Sequence, residues 1–242
     1  NEEELQSVDP EYDGNIALYD DYVDYWIEDP RFIDRIMEVY NLRVLSRTGE
    51  AYFDDYENVG LGALDENVIG DHIGDEPLRL FGHIVENDLP FKEFVTAEYT
   101  MADPVVAAAW RLDYPEGATG WEQAYYTDGR PHAGVLTMNT TWQRYPSMGG
   151  NANRSRANAM SIMLLCDDYL QRPIVLNRAA VDQLVIDPED AISTVGCQSC
   201  HSTLDPLAGN LFGFFNYDDD LGFERTVYRP ENEEEWRYYS GK

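Results

Sequence analysis

The run Cys197-Gln198-Ser199-Cys200-His201 constrains this chain more than any other stretch. Two thiols at this spacing, with an imidazole beside the second, can add across the two vinyl groups of a haem while the histidine binds its iron. With three Cys and four His in the chain, random order gives the pattern on the order of 0.0004 times per sequence, so coincidence is a poor account of it. The expected cofactor is one covalent haem c, with Cys197 and Cys200 as thioether carriers and His201 as the proximal iron ligand. A zinc site needs four ligands, and no second Cys/His pair stands at a suitable spacing. A redox CxxC expects a βαβ setting that the sequence does not offer.

The sixth iron ligand is not written beside the motif, because no Met and no His follows His201. A side-chain ligand has to come from upstream: Met37, Met101, Met138, Met148, Met160, Met163, His72, His83 or His132. Met37, Met160 and Met163 lie on apolar helical stripes, where core packing is the expected role. Met138 at a helix start and Met148 in a Pro/Gly loop are the leading candidates, ahead of His132 in a turn. A thioether would stabilise ferrous iron, and a second imidazole would lower the potential. An open sixth position would admit peroxide or small ligands.

At 242 residues, with 43% hydrophobic and 13% aromatic side chains, the chain can build a real core despite a net charge of −29. That charge repels nucleic acid and anionic lipid. It suits cationic partners or a saline medium, and it opposes tight self-association at low salt. No apolar run reaches membrane-spanning length. The acidic opening Asn1-Glu2-Glu3-Glu4 has the character of a terminus exposed by processing. Attachment of haem to CxxCH takes place outside the bacterial cytoplasm, so a periplasmic or extracellular location is expected. Cys166, at the end of an apolar stretch, is expected to be a buried, inert thiol.

The patterning predicts a mainly α chain: an acidic arm over 1–15, a helical region over 16–129, and a cytochrome c-like haem domain over 130–242. Helices are expected over Leu18 to Ile27, from Pro30 to about Ser46, over Leu78 to Glu86, over Phe91 to Thr96, and from Asp103-Pro104 through Leu112. Gly60, Gly62, Gly70 and Gly74 among acids predict a long loop over Ala51 to Asp75. A short hairpin is expected within Tyr114 to Gly129. Thr137 is the expected cap of a following helix. Pro146 to Asn151 is an expected loop, Ala157 to Cys166 an expected helix, and Pro188 the start of another. The acid clusters Asp218-Asp219-Asp220 and Glu233-Glu234-Glu235 lack EF-hand spacing and are expected to be solvated charge rather than calcium ligands.

Cys197, Cys200, His201, Asp205 and Pro206, then Gly222 and Arg225, resemble the C-terminal haem domain of exported c-type cytochromes common in planctomycetes and myxobacteria. Upstream, Gly134-Val135-Leu136-Thr137, Arg156 and Leu164-Leu165-Cys166 resemble further segments of that family. So do Asp29-Pro30-Arg31-Phe32 and Glu98-Tyr99-Thr100. Ala152-Asn153 replaces the family's Ser-Pro, and Ala208 to Asp220 is longer than its usual spacing. The resemblance implies a helical fold with one haem c, and no settled reaction. At the matching positions, Asp205-Pro206 is expected to turn the chain after the haem helix. Arg154 or Arg156 is expected to pair either with a haem propionate or with surface acids.

Three functions compete. The first is a monohaem carrier of single electrons, steered to redox partners with cationic docking surfaces. The second is a subunit of an extracellular assembly or filament, docked through the acidic arm and Trp236-Arg237-Tyr238-Tyr239. The third is a haem enzyme, peroxidase-like or associated with a dehydrogenase.

Overall fold

Asp-Pro pairs start two of the helices. Asp29 caps α1 (Pro30–Val44) by accepting the Arg31 N–H at 2.9 Å, and Pro30 fills the first turn where no N–H is needed. Asp103 caps α4 (Pro104–Trp110) through the N–H groups of Val105 and Val106 at 3.0 and 2.9 Å. This computed structural model describes residues 23–48, 57, 59–147, 153–172, 195–214 and 228–234, with the backbone alone for 195–199. The acidic arm, Met148, the Pro188 helix start, Asp218-Asp219-Asp220, Gly222, Arg225 and the Trp236 to Tyr239 tail lie outside the described residues. The described chain is mainly helical. Among the described residues no helix is long and apolar enough to cross a membrane.

The expected loop over Ala51 to Asp75 is corrected at its second half. α2 (Glu66–Glu86) begins there, capped by Asp65 on the Asn67 N–H at 2.9 Å, and runs for 21 residues. Gly74 and Gly82 in it serve packing rather than turning. A Cβ on Gly74 would stand 2.8 Å from the Ser46 carbonyl oxygen, so only glycine lets the end of α1 come this close. One stripe of α1 meets the same helix farther along, where Tyr40 stacks on Phe81 with ring centroids 3.9 Å apart.

α3 (Glu93–Thr96) is a single turn between α2 and β1 (Thr100–Ala102). β1 pairs antiparallel with β2 (Glu122–Ala124), in register Thr100 to Ala124 and Ala102 to Glu122. The expected hairpin within Tyr114 to Gly129 therefore does not form as such. Its second arm pairs back across α4, and Asp113 meets Tyr125 in an isolated bridge. A 3₁₀ turn, Gly134–Thr137, leads into α5 (Asn139–Arg144). Thr137 does not cap it; its hydroxyl donates to the Gly134 carbonyl, and Met138 holds the cap position. α6 (Arg154–Met160) passes into a π-helical turn, Ser161–Leu165, and α7 (Val195–Gly209) follows.

The first core cluster joins α1, α2 and α3 to Val135, Met138 and Met163, so residues on both sides of position 130 share one interior. The second lies between α2, α4 and the strands, around Ile69, Val106 and Trp110. The third gathers Trp142, Met160, Leu211 and Phe214; the fourth gathers Ala157, Tyr169, Leu204 and Ala208. These last two seat α7 against α6.

Glu76 lies wholly buried in α2 and faces four donors or acceptors: the hydroxyls of Thr100 and Tyr126 at 2.8 Å each, the Trp110 indole N–H at 3.1 Å, and the Thr140 hydroxyl. Pro77 takes a share of one of these donors. Having no N–H, it leaves the Ile73 carbonyl without its helical donor, and the Thr140 hydroxyl supplies one at 3.0 Å. That hydroxyl has a single proton, shared between the Ile73 carbonyl and Glu76 Oε2, so the carboxylate draws less from it than from an undivided donor. Burial pushes the Glu76 pKa upward, against the hydrogen bonds and the Arg130 charge that favour the anion.

Folding therefore binds the Glu76 proton more tightly than the unfolded chain, whose carboxyl titrates near 4.5. Stability must fall as pH rises from that value through the folded pKa. Glu76→Gln can turn its oxygen to Trp110 and its amide to Thr100 and Tyr126. It is expected to fold and to flatten this decline, read from urea midpoints between acidic and mildly alkaline pH. Glu76→Ala orphans the four partners and is expected to cost about 2–5 kcal/mol.

Candidate haem site

The helical spacing of 197, 200 and 201 sets these positions on one face of α7 near its N-terminal end. Cys200 is half-buried and free of any disulfide, and its Sγ–H donates to the Tyr169 carbonyl at 3.4 Å. Tyr169 is held in turn. Its N–H donates to Asn158 Oδ1 at 2.9 Å, and the Arg172 guanidinium lies 4.0 Å over its ring while reaching Thr203 Oγ1 at 3.1 Å. The 3₁₀ turn Tyr169–Gln171 is thus clamped against the haem-motif helix.

His201 Nδ1 lies 3.1 Å from both carboxylate oxygens of Asp205, one helical turn on. Arg154, at the start of α6, grips the same carboxylate with Nε to Oδ1 at 2.7 Å and Nη2 to Oδ2 at 3.2 Å. Burial raises the Asp205 pKa, but the bonds from His201 and Arg154 outweigh it and hold the carboxyl below the usual range. An ionised carboxylate only accepts, so the proton between the two is on Nδ1. The Nε2 lone pair is then left for a metal. The expected turn at Asp205-Pro206 is corrected, for α7 continues through both to Gly209. Burial of Leu204 and Ala208 against α6 holds that turn helical, and Asn210 Nδ2 closes on the Pro206 carbonyl at 2.9 Å.

These residues fit a haem. The imidazole commits Nδ1 to Asp205 and leaves Nε2 for a metal, and Cys200 presents a half-buried thiol one position before it. Apart from these two, Trp142 keeps an indole N–H buried without a partner among the described residues, in a cluster that Leu207 of α7 borders. Among the described residues no group of three or more His, Cys, Asp or Glu could hold a metal ion. A haem asks for none, because the porphyrin supplies four of the iron's ligands.

The candidate sixth ligands are scattered. Met138 is buried in the first core cluster with Met37, Met101 and Met163, and that cluster includes no residue of α7. His72 is paired with Asp103, His83 borders Asn87 and Tyr99, and His132 is exposed. Among the described methionines, Met160 alone packs with a residue of α7, Leu207. Cys166 is exposed rather than buried, since the π-helical turn ends on it in the left-handed region at φ 56° and swings it outward.

The two arginines part company. Arg154 binds an acid, but a buried one. Arg156 binds no acid in the contacts described: its guanidinium donates to the carbonyls of Tyr145 at 2.8 Å, Phe214 at 2.8 Å and Trp142 at 3.2 Å, and to Asn153 Oδ1 at 3.2 Å. Burial lowers its pKa to about 9. Asp205 as partner of His201 was missed in the sequence, although a histidine and a carboxylate four apart on a helix was the available signal.

Arg156→Lys keeps the charge and loses the fork. It is expected to lower stability by about 2–4 kcal/mol, measured by urea unfolding, because at least two buried carbonyls lose their donor. No protein-family model, curated protein or solved structure matches this chain.

Proposed function

We infer that this chain is a monohaem c-type cytochrome that passes single electrons outside the cytoplasm. The observation that carries the reading is the placing of Cys197, Cys200 and His201 on one face of α7, with Nδ1 of the histidine committed to Asp205. That commitment leaves Nε2 as the metal-binding nitrogen. Haem c supplies the one-electron chemistry when bound; the chain supplies attachment, ligation and field.

The helical fold is compatible with this role, and the surface charge gives it direction. With 46 acids against 17 bases, the chain would draw cationic redox partners at rates that fall as salt screens the attraction. Export follows from the place where CxxCH is matured.

The test is production with a c-type maturation system. The purified protein is expected to be coloured, to hold its pigment through extraction with acidified organic solvent, and to give one haem per chain by pyridine haemochrome. Cys197→Ser with Cys200→Ser is expected to release the pigment to that solvent. A colourless wild-type product from a competent maturation host overturns the reading. Resonance Raman spectra of both oxidation states then report the sixth ligand. Peroxide turnover with a high-spin ferric spectrum would point to the enzyme alternative, and ordered fibres in electron micrographs to the assembly alternative.

A further inference from the structure

We propose that Asp205 is the positioning residue of the iron ligand His201, and that Arg154 sets how much negative charge it lends to that ligand. The inference rests on the c-type cytochrome reading and deepens it, since it assigns the groups that set the potential of the same site.

Three features of the geometry support it. His201 and Asp205 stand four apart on one helix, so their contact needs no second element to bring them together. The Asp205 side chain is 2% exposed, so the bond from Nδ1 is not diluted by water. The carboxylate is also gripped by Arg154 through both of its oxygens, which prevents it from turning away. An acceptor fixed in this way holds the proton on Nδ1 and fixes the orientation of the ring, so Nε2 meets the metal as a preoriented lone pair.

The electronic consequence has a sign. A carboxylate on Nδ1–H makes the imidazole a stronger base toward iron. The oxidised iron carries the greater charge and gains more from a stronger donor, so the pair lowers the reduction potential. Arg154 acts the other way. It draws density from the carboxylate and places a positive charge nearby, and both effects favour ferrous iron. In a buried setting these charges act at short range and are weakly screened.

The two partners of one ion pair should therefore shift the potential in opposite directions. A tie that served only to join α6 to α7 would do otherwise. Loss of either partner would weaken the fold alike and leave the potential in place.

The experiment uses the matured holoprotein. Midpoint potentials are measured for wild type, Asp205→Asn, Asp205→Glu and Arg154→Gln, with haem per chain counted on each sample by pyridine haemochrome. Asp205→Asn keeps an acceptor for Nδ1–H but removes its charge. It is expected to raise the midpoint by at least a tenfold change in the ferrous-to-ferric ratio at fixed poise, about 59 mV for one electron. Arg154→Gln is expected to lower the midpoint, and Asp205→Glu to stay nearer wild type than Asp205→Asn. Where Asp205→Asn does not mature, Arg154→Gln decides alone, because it leaves the carboxylate in place. Holoprotein whose potential is unmoved by Asp205→Asn or by Arg154→Gln, or is moved the same way by both, overturns the proposal. Wild type without haem overturns the cytochrome reading instead, so the two failures are told apart.

Discussion

The Asp205 carboxylate is where the described haem-motif helix, its neighbour and the candidate iron ligand meet. It takes two bonds from Arg154 at the first turn of α6 and one shared bond from His201 one turn back on α7. Around it Ala157, Leu204 and Ala208 close the helix pair, and the small side chains at 157 and 208 suit a close approach. Without the carboxylate, Arg154 would keep a partly buried charge and His201 would be free to turn or to change tautomer. The same atoms thus fix a tertiary contact and a ligand.

A chain with so few cations puts several of them inside. Arg130 is buried, bonded to Asp128, to the Thr137 carbonyl at 2.6 Å and to Asn139 Oδ1 at 2.9 Å, with Tyr126 3.7 Å beneath its guanidinium. Asp128 also accepts the Tyr228 N–H at 3.0 Å, which ties the described C-terminal segment to this loop. Arg156 gathers three carbonyls, and Arg144 reaches the Leu45 carbonyl at 2.6 Å. Each of these guanidiniums closes backbone that leaves a helix or turn, a task its fork of donors suits better than an ammonium would. A buried guanidinium still counts in the net charge, so the outward field keeps the sign set by 46 acids against 17 bases.

How much of this was legible in the sequence depended on whether the signal was local. Asp29-Pro30 and Asp103-Pro104 announce their helices because cap and first turn lie within three residues. The apolar stripe of α1 is equally local. Gly74 misled because a glycine that admits a neighbouring backbone looks the same in sequence as one that turns a chain. Only the Ser46 carbonyl, 28 residues away, distinguishes them. The β1–β2 pairing spans α4, and nothing within Tyr114 to Gly129 marks its partner. Gly134 shows the same limit: it has φ +51°, and a Cβ there would stand 2.3 Å from the Phe94 carbonyl oxygen. At the site, the CxxCH run was legible as chemistry. The roles of Asp205 and Arg156 were not, since the first depended on α7 running on through Pro206 and the second on carbonyls from three separate segments.

Glu76 and Asp205 show how one chain places carboxyls in opposite states. Both are buried, and burial alone would raise the pKa of each. Asp205 has a guanidinium in direct contact with both oxygens and an imidazole N–H beside it, so the anion wins. Among the described residues Glu76 has only neutral hydrogen-bond partners, and the carbonyl freed by Pro77 shares the Thr140 proton that favours the anion. Linkage then pulls in two directions. Stability tied to Asp205 is present above the unfolded carboxylate pKa and is lost as pH falls through the lowered folded value. Stability tied to the Glu76 proton is complete below its unfolded value and declines as pH rises toward the raised one. The two groups therefore oppose each other across the carboxylate range, one beside the candidate iron ligand and one in the helical core.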